Sequence, residues 1–311
     1  RLRFINGAGC WSMVGKAGGE QKISIGAGCD WLGTIAHELA HAFGIWHTQS
    51  RYDRDRYVMV NRENILGRQL YNFNVQKKDQ TDLYWIPYEF GSVMHYAEND
   101  FAHDYNQPSL IAREGYEMLQ HSMSGHMPSF YDVHLINQYY SCYDKCPLRF
   151  GCENGGKQDV NNCTKCQCPP GYGGPYCHYF ILSILKLYFF KSTSGCDEAH
   201  TIDAHGKNFS TIAGHRGLWQ IAFNECSIHL KSATPGRRIE LKVTSEAGFK
   251  SWNCYGAAVD VRYRKDPAFT GVRMCKPWTS FPEVTSEADH MVIHVYARIN
   301  YVNFNFTARQ I

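Results

Sequence analysis

The run His37-Glu38-Leu39-Ala40-His41 carries two imidazoles four residues apart with a carboxylate beside the first. On a helix that spacing sets both rings on one face, a turn apart, where they can share one ion. Neutral imidazole suits zinc, with bonds of about 2.0–2.1 Å. Glu38 stands where it can reach a metal-bound water without binding the metal itself. His47 is the third candidate ligand. An α-helix turns about 100° per residue, so six residues beyond His41 an unbroken helix would aim His47 well away from the pair. The chain must leave the helix first, and Gly44 is where it can, because glycine accepts positive φ. Three imidazoles with a position left open for water describe a catalytic zinc rather than a structural one. A bare His-Glu-x-x-His arises by chance in many helices; Gly44 and His47 at fixed offsets set this one apart.

The elements that must position these residues can be read around them. Trp31 to Phe43 has apolar residues at Leu32, Ile35, Ala36, Leu39, Ala40 and Phe43, a helical spacing that Gly44 stops. Cys10 to Val14 and Gln21 to Ile25 read as two short strands around Gly15, Gly18 and Gly19. Gln49 to Gln80 is polar and loop-rich, with a short helix near Glu63 to Leu70. A further helix runs from Tyr131 to Tyr139, with Val133, Ile136 and Tyr140 on one side. Residues 1–142 thus form one mixed α/β unit. Residues 146–177 are dense in cysteine and too short for a core of their own. From residue 196 onward the pattern is β: Arg238 to Val243, Ala258 to Tyr263 and Met291 to Tyr296 alternate or run apolar, which suggests a β-sandwich. Tyr179 to Phe190 is almost wholly apolar. It is shorter than the roughly 20 residues of a membrane span and reads as a linker of unclear origin.

Composition narrows the classes. A length of 311 residues suggests about two domains, and 44% hydrophobic residues are enough for ordinary cores. The formal charge of +3, with no basic run, gives no reason to invoke nucleic acid or an anionic membrane. Seven of the 13 cysteines fall between Cys142 and Cys177. That density suits an oxidising compartment. Glycosylation sequons at Asn162, Asn208 and Asn305 agree with a secreted, extracellular chain. The chain opens at Arg1, within the expected strand Leu2 to Ile5, and its start is read as incomplete.

Behind the zinc motif, Ser92-Val93-Met94-His95-Tyr96 resembles the Met-turn of metzincins, with Met94 packed beneath the ligands. Together with Ser50-Arg51-Tyr52-Asp53-Arg54-Asp55, Glu63-Asn64-Ile65, and the stretch Asp132-Val133, Ile136-Asn137, Tyr140 and Cys142, it makes residues 1–142 resemble the astacin family of zinc metallopeptidases. The resemblance implies an α+β metzincin-like catalytic domain whose start is missing, one zinc ion per chain, and Tyr96 as an extra zinc ligand that swings away to stabilise the oxyanion. It also implies that the strand Gln21 to Ile25 is the cleft edge on which substrate adds as an extra strand. Thr48 departs from the family, whose members usually carry Glu there to bind the buried new N-terminus of the mature enzyme. The family domain also begins some dozens of residues earlier.

Residues 143–178 resemble an EGF-like module, ending in Cys168-Pro169-Pro170-Gly171-Tyr172-Gly173-Gly174-Pro175-Tyr176-Cys177. Residues 196–311, after a hydrophobic linker at 179–195, resemble an all-β CUB sandwich. The resemblances imply disulfides Cys10–Cys29, Cys146–Cys163, Cys152–Cys166 and Cys168–Cys177, and two consecutive CUB-type pairs among Cys196, Cys226, Cys254 and Cys275. Cys142 is left over, its family partner lying in the missing part.

The function implied is a secreted zinc metalloendopeptidase: Glu38 serves as general base, and Tyr96 and zinc stabilise the oxyanion. Matrix, cuticle or egg-envelope proteins are the expected substrates, by family analogy alone. The alternative is a catalytically inactive binding protein that uses its EGF-like and CUB modules. Intact His, Glu and Tyr residues argue against it; the missing segment argues for it. His95 is expected to pack or to support a ligand rather than bind metal, and His121 and His126 are expected at the surface.

Overall fold

A computed structural model describes residues 1–180, 197–248, 254, 256–275 and 283–311. Most of the apolar run, and Cys196, lie outside these. The chain divides into two compact units, Arg1–Cys142 and Tyr143–Ile311. Among the described residues no helix is long and apolar enough to cross a membrane.

In the first unit, β1 (Leu2–Ile5), β2 (Cys10–Ser12) and β3 (Gln21–Ile25) form a three-stranded sheet in the order β1-β3-β2. β3 pairs parallel with β1 and antiparallel with β2. Gln21 to Ile25 is therefore the central strand, not the cleft edge expected from the sequence. Both its hydrogen-bonding sides are taken, and the edges of the sheet among the described residues are β1 and β2. The residues Gly15 to Glu20 explain why: they fold β2 back onto β3 with positive φ at Gly15, Gly18 and Gly19, and the Cys10–Cys29 disulfide holds the start of β2 to the loop after β3. Helix α1 (Leu32–Ala42) follows. The short helix expected at Glu63 to Leu70 is instead two 3-10 turns, Arg62–Asn64 and Gly67–Phe73. Asn64 ties this stretch down by donating to the Asp104 and Gln107 carbonyls at 2.9 and 2.7 Å. β4 (Val58–Val60) and β5 (Leu110–Ala112) form a small antiparallel ladder. Helix α2 (Phe130–Tyr139) starts at a capping box in which Ser129 and Asp132 satisfy each other's backbone N–H. Ala40 of α1 packs on Val93 and Met94, with Ile45 and Ile136 against them.

In the second unit the cysteine-dense segment holds three disulfides among its described residues, Cys146–Cys163, Cys152–Cys166 and Cys168–Cys177. Among the described residues its backbone pairs in two-residue ladders: β6 (Lys157–Gln158) with β7 (Cys166–Gln167), and β8 (Tyr172–Gly173) with β9 (Tyr179–Phe180). The rest is a β-rich region of β10 (Glu198–Ile202), β11 (Lys207–Ser232), β12 (Ile239–Gly248), β13 (Ala257–Arg262), β14 (Val272–Met274), β15 (Glu283–Thr285) and β16 (His290–Gln310). β16 pairs with β11 along most of its length, with β12 over Val302–Gln310 and with β13 over Val292–Ala297. Cys254–Cys275 is bridged. Cys226 is also disulfide-bonded.

Val292 of β16 packs with Cys166, Tyr172 and Cys177 in one buried cluster. Beside it His229 Nε2 donates to the Gly171 carbonyl at 2.9 Å. Burial pushes the His229 pKa down to about 4, with the nearby His290 adding to the effect and the Gly171 carbonyl opposing it. The unfolded chain takes up this proton near 6.5 and the folded unit only near 4, so the stability is fully present above about 6.5 and is lost as pH falls through that window. We expect the unfolding free energy of this unit to fall on acidification by an amount on the order of 2–3 kcal/mol, seen as a lower unfolding temperature. His229→Gln, which keeps a donor but cannot titrate, should flatten the dependence in differential scanning calorimetry. An equal slope in the variant would assign it to other groups.

Candidate metal centre

α1 carries His37 and His41 on one face and ends at Phe43. Gly44 then adopts φ +96°, and its N–H donates to the His41 carbonyl while Ile45 N–H donates to that of Ala40. A side chain at Gly44 would be strained, and its Cβ would meet the Tyr139 hydroxyl at 3.3 Å. This turn redirects the chain and brings His47 back to the pair. The three Nε2 atoms converge: His47 Nε2 lies 3.2 Å from that of His37 and 3.1 Å from that of His41.

The second nitrogen of two rings is already committed. His37 Nδ1 donates to the Val93 carbonyl at 2.7 Å and His41 Nδ1 to the Ile45 carbonyl at 2.8 Å. A carbonyl only accepts, so both Nδ1 atoms carry the proton and both Nε2 atoms present lone pairs. Burial lowers the pKa of His37, takes that of His41 to about 4 and that of His47 to about 2, with neighbouring imidazoles adding to the last two. Neutral rings with lone pairs aimed at one point repel unless a cation sits among them. Their separations are close to the ~3.3 Å expected between two ligands in a tetrahedral site with bonds near 2.05 Å. The donor set fits zinc, and no other cluster of three metal-binding side chains occurs among the described residues.

Glu38, on the same turn as His37, is 5% exposed. Its Oε2 is buried without a hydrogen-bond partner. Burial alone raises its pKa to about 7. A buried carboxylate oxygen with no protein partner costs free energy in a structural role, and that cost is what a proton-transfer group carries. Tyr96 lies with its ring centroid 4.5 Å from that of His47, between Phe73 and Phe101. Burial, then Asp100 and Tyr71, push its pKa well above the usual tyrosine value, so the isolated side chain is a neutral phenol.

Several supporting residues were not assigned from the sequence. Thr48, where the family usually has Glu, donates to the Ser92 hydroxyl at 3.0 Å. Ser92 passes the bond on to Asp132 Oδ1 at 2.5 Å, and Asp132 Oδ2 accepts the Val93 N–H at 2.9 Å. The Thr48 N–H meets the Met94 carbonyl at 2.9 Å. One buried chain therefore links the segment after His47, the Met94 turn and α2, and it holds the peptide whose carbonyl orients His37. The capping box at Ser129 marks Asp132 as a helix-start residue, but no local signal shows that it also reaches Ser92 and Val93. Met94 is 1% exposed and packs with Ala40 and Val93.

Other candidates fall elsewhere. His95 is buried, and its two ring nitrogens meet the Tyr88 hydroxyl and the Tyr96 carbonyl. His121 and His126 are half-buried rather than at the open surface, and His121 Nδ1 lies 3.0 Å from both Glu98 carboxylate oxygens. Cys142 is free. Asn162 and Asn208 are exposed, whereas Asn305 is half-buried and its Nδ2 donates to Ser245 Oγ at 2.8 Å.

Residues 1–141 match the sequence model of the astacin family of peptidases. The chain is 34% identical over 310 residues to zinc metalloproteinase nas-29 of Caenorhabditis elegans, covering 98% of this chain and 56% of that one. It is 37% identical over 270 residues to nas-23 of the same organism, covering 86% and 48%. It thus spans about half the length of these relatives. Among solved structures, high choriolytic enzyme 1 of Oryzias latipes, a hatching enzyme zinc-protease, is 35% identical over 45% of this chain and 68% of that one, at a TM-score of 0.42. With its family match and its histidine triad, the unit Arg1–Cys142 belongs to the astacin family of zinc metallopeptidases.

Proposed function

We propose that the chain is a secreted zinc metalloendopeptidase that hydrolyses internal peptide bonds of extracellular proteins. The observation that carries this reading is the convergence of three neutral imidazoles beside a buried carboxylate oxygen with no partner. His37, His41 and His47 would hold the ion. When bound, zinc supplies Lewis-acid polarisation of the scissile carbonyl and acidifies water. Glu38 takes the proton from the attacking water and returns it to the departing amine nitrogen, a role its raised pKa suits. The Tyr96 phenol donates to the oxygen that gains negative charge on the scissile carbonyl. The substrate backbone adds antiparallel to the free edge of β2, which the Gly15 N–H to His41 carbonyl bond, at 2.8 Å, ties to α1.

Residues 143–178 serve as an EGF-like module and 196–311 as a CUB-like domain, both for extracellular contacts. The disulfides of the described residues support an oxidising compartment, and exposed Asn162 and Asn208 suit glycan attachment. Matrix, cuticle or egg-envelope proteins are the substrate class we favour.

The test is mass spectrometry of an unfolded protein incubated with the chain. Internal cleavages should appear, stop with a zinc chelator and return on adding zinc. Cleavage that persists through chelation would overturn the metallopeptidase assignment.

A further inference from the structure

The Tyr96 backbone is gripped from both sides. Its N–H donates to Gln49 Oε1 at 3.0 Å, and its carbonyl accepts from His95 Nδ1 at 2.6 Å. Gln49 and His95 are 0% and 2% exposed. Because the Tyr96 carbonyl can only accept, His95 Nδ1 carries the ring proton, and Nε2 of the neutral ring is left as an acceptor. The Tyr88 hydroxyl lies 2.8 Å from that Nε2 and is the group that donates to it. Tyr88 is itself packed on both faces: it is 1% exposed, stacked on Tyr57 at 4.5 Å, and covered by the Arg51 guanidinium at 5.4 Å. Arg51 in turn donates to the Ile86 and Pro87 carbonyls just before Tyr88. The Phe90 ring stacks on the His95 ring.

We propose that Tyr88 and His95 are positioning residues that brace the Tyr96 peptide, so that the Tyr96 phenol moves only by side-chain rotation on a fixed base. The Tyr88 hydroxyl selects the His95 tautomer and ring rotation, and His95 fixes the carbonyl after the Tyr96 Cα. The phenol is then confined between His47, Phe73 and Phe101, whose ring centroids lie 4.5, 5.6 and 5.2 Å away. The brace touches neither substrate nor metal and acts only through Tyr96. It therefore rests on the role given to Tyr96 above.

The experiment is a double-mutant cycle on the zinc-loaded full chain. Tyr88→Phe removes one hydroxyl and keeps the stacked ring. It should lower kcat roughly three- to tenfold, the range for one net hydrogen bond, with KM and zinc content unchanged. In a Tyr96→Phe background the same change should cost nothing further, because the group it acts through is gone. His95→Asn, which keeps a donor near the Nδ1 position, should retain more activity than His95→Leu. With Tyr96 as the extra metal ligand of the substrate-free protein, where the cation displaces its proton, a readout independent of turnover is the phenolate-to-copper absorption band of the copper(II)-substituted protein, which Tyr88→Phe should shift or weaken. An unchanged kcat and band in folded Tyr88→Phe would overturn the brace, as would an equal loss in both backgrounds. A fully active Tyr96→Phe would instead sink the role of Tyr96 itself, and the brace with it.

Discussion

Glu38→Ala should yield a folded, zinc-loaded chain whose kcat/KM for protein hydrolysis is lower by about 10²–10⁴-fold, the range for loss of a positioned general acid–base. Glu38 is not a metal ligand candidate: the converging nitrogens belong to His37, His41 and His47 alone. Its removal therefore leaves zinc binding intact. Stability should hold or rise, because the change deletes a buried oxygen that has no hydrogen-bond partner. The checks are steady-state kinetics beside zinc analysis and thermal unfolding of the same preparation. Appreciable hydrolysis by zinc-loaded Glu38→Ala would remove Glu38 from the mechanism.

His41→Ala should fail differently, losing metal and activity together. One of three converging donors disappears, and the Ile45 carbonyl that orients it loses its partner. The loss of zinc affinity should exceed the roughly 10–100-fold typical of outer-shell changes. Zinc should raise the unfolding temperature of the parent chain by mass action and leave that of His41→Ala almost unmoved. Dialysis against a weak chelator followed by elemental analysis separates the two. Retention of one equivalent of zinc by the variant would mean that His41 is not a ligand.

Much of this arrangement was legible because local signals coincide with it. The apolar periodicity from Leu32 onward places the helix, and Gly44 marks its end because only a residue at ease with φ +96° can turn there. The spacing of His37, His41 and His47 then closes around one point. The strand order was not legible. Gln21 to Ile25 has the composition of a strand, but whether it sits centrally or at the edge depends on which neighbours pair with it, and pairing is non-local. The buried polar chain Thr48–Ser92–Asp132 was missed for the same reason: it joins residues 40 or more positions apart. Short turns such as Arg62–Asn64 carry too few residues for a period to show, and tertiary bonds from Asn64 hold this one in place. His121 looked like a loop histidine because Glu98, its partner, is 23 residues away.

If three imidazoles hold one catalytic zinc, activity must follow the metal. Zinc titrated into metal-free protein, with bound metal and hydrolysis of an unfolded protein measured together, tests this. Activity should climb in proportion to bound zinc and stop at one equivalent. Hydrolysis without zinc, or a folded chain that binds one equivalent and cleaves nothing, would contradict it.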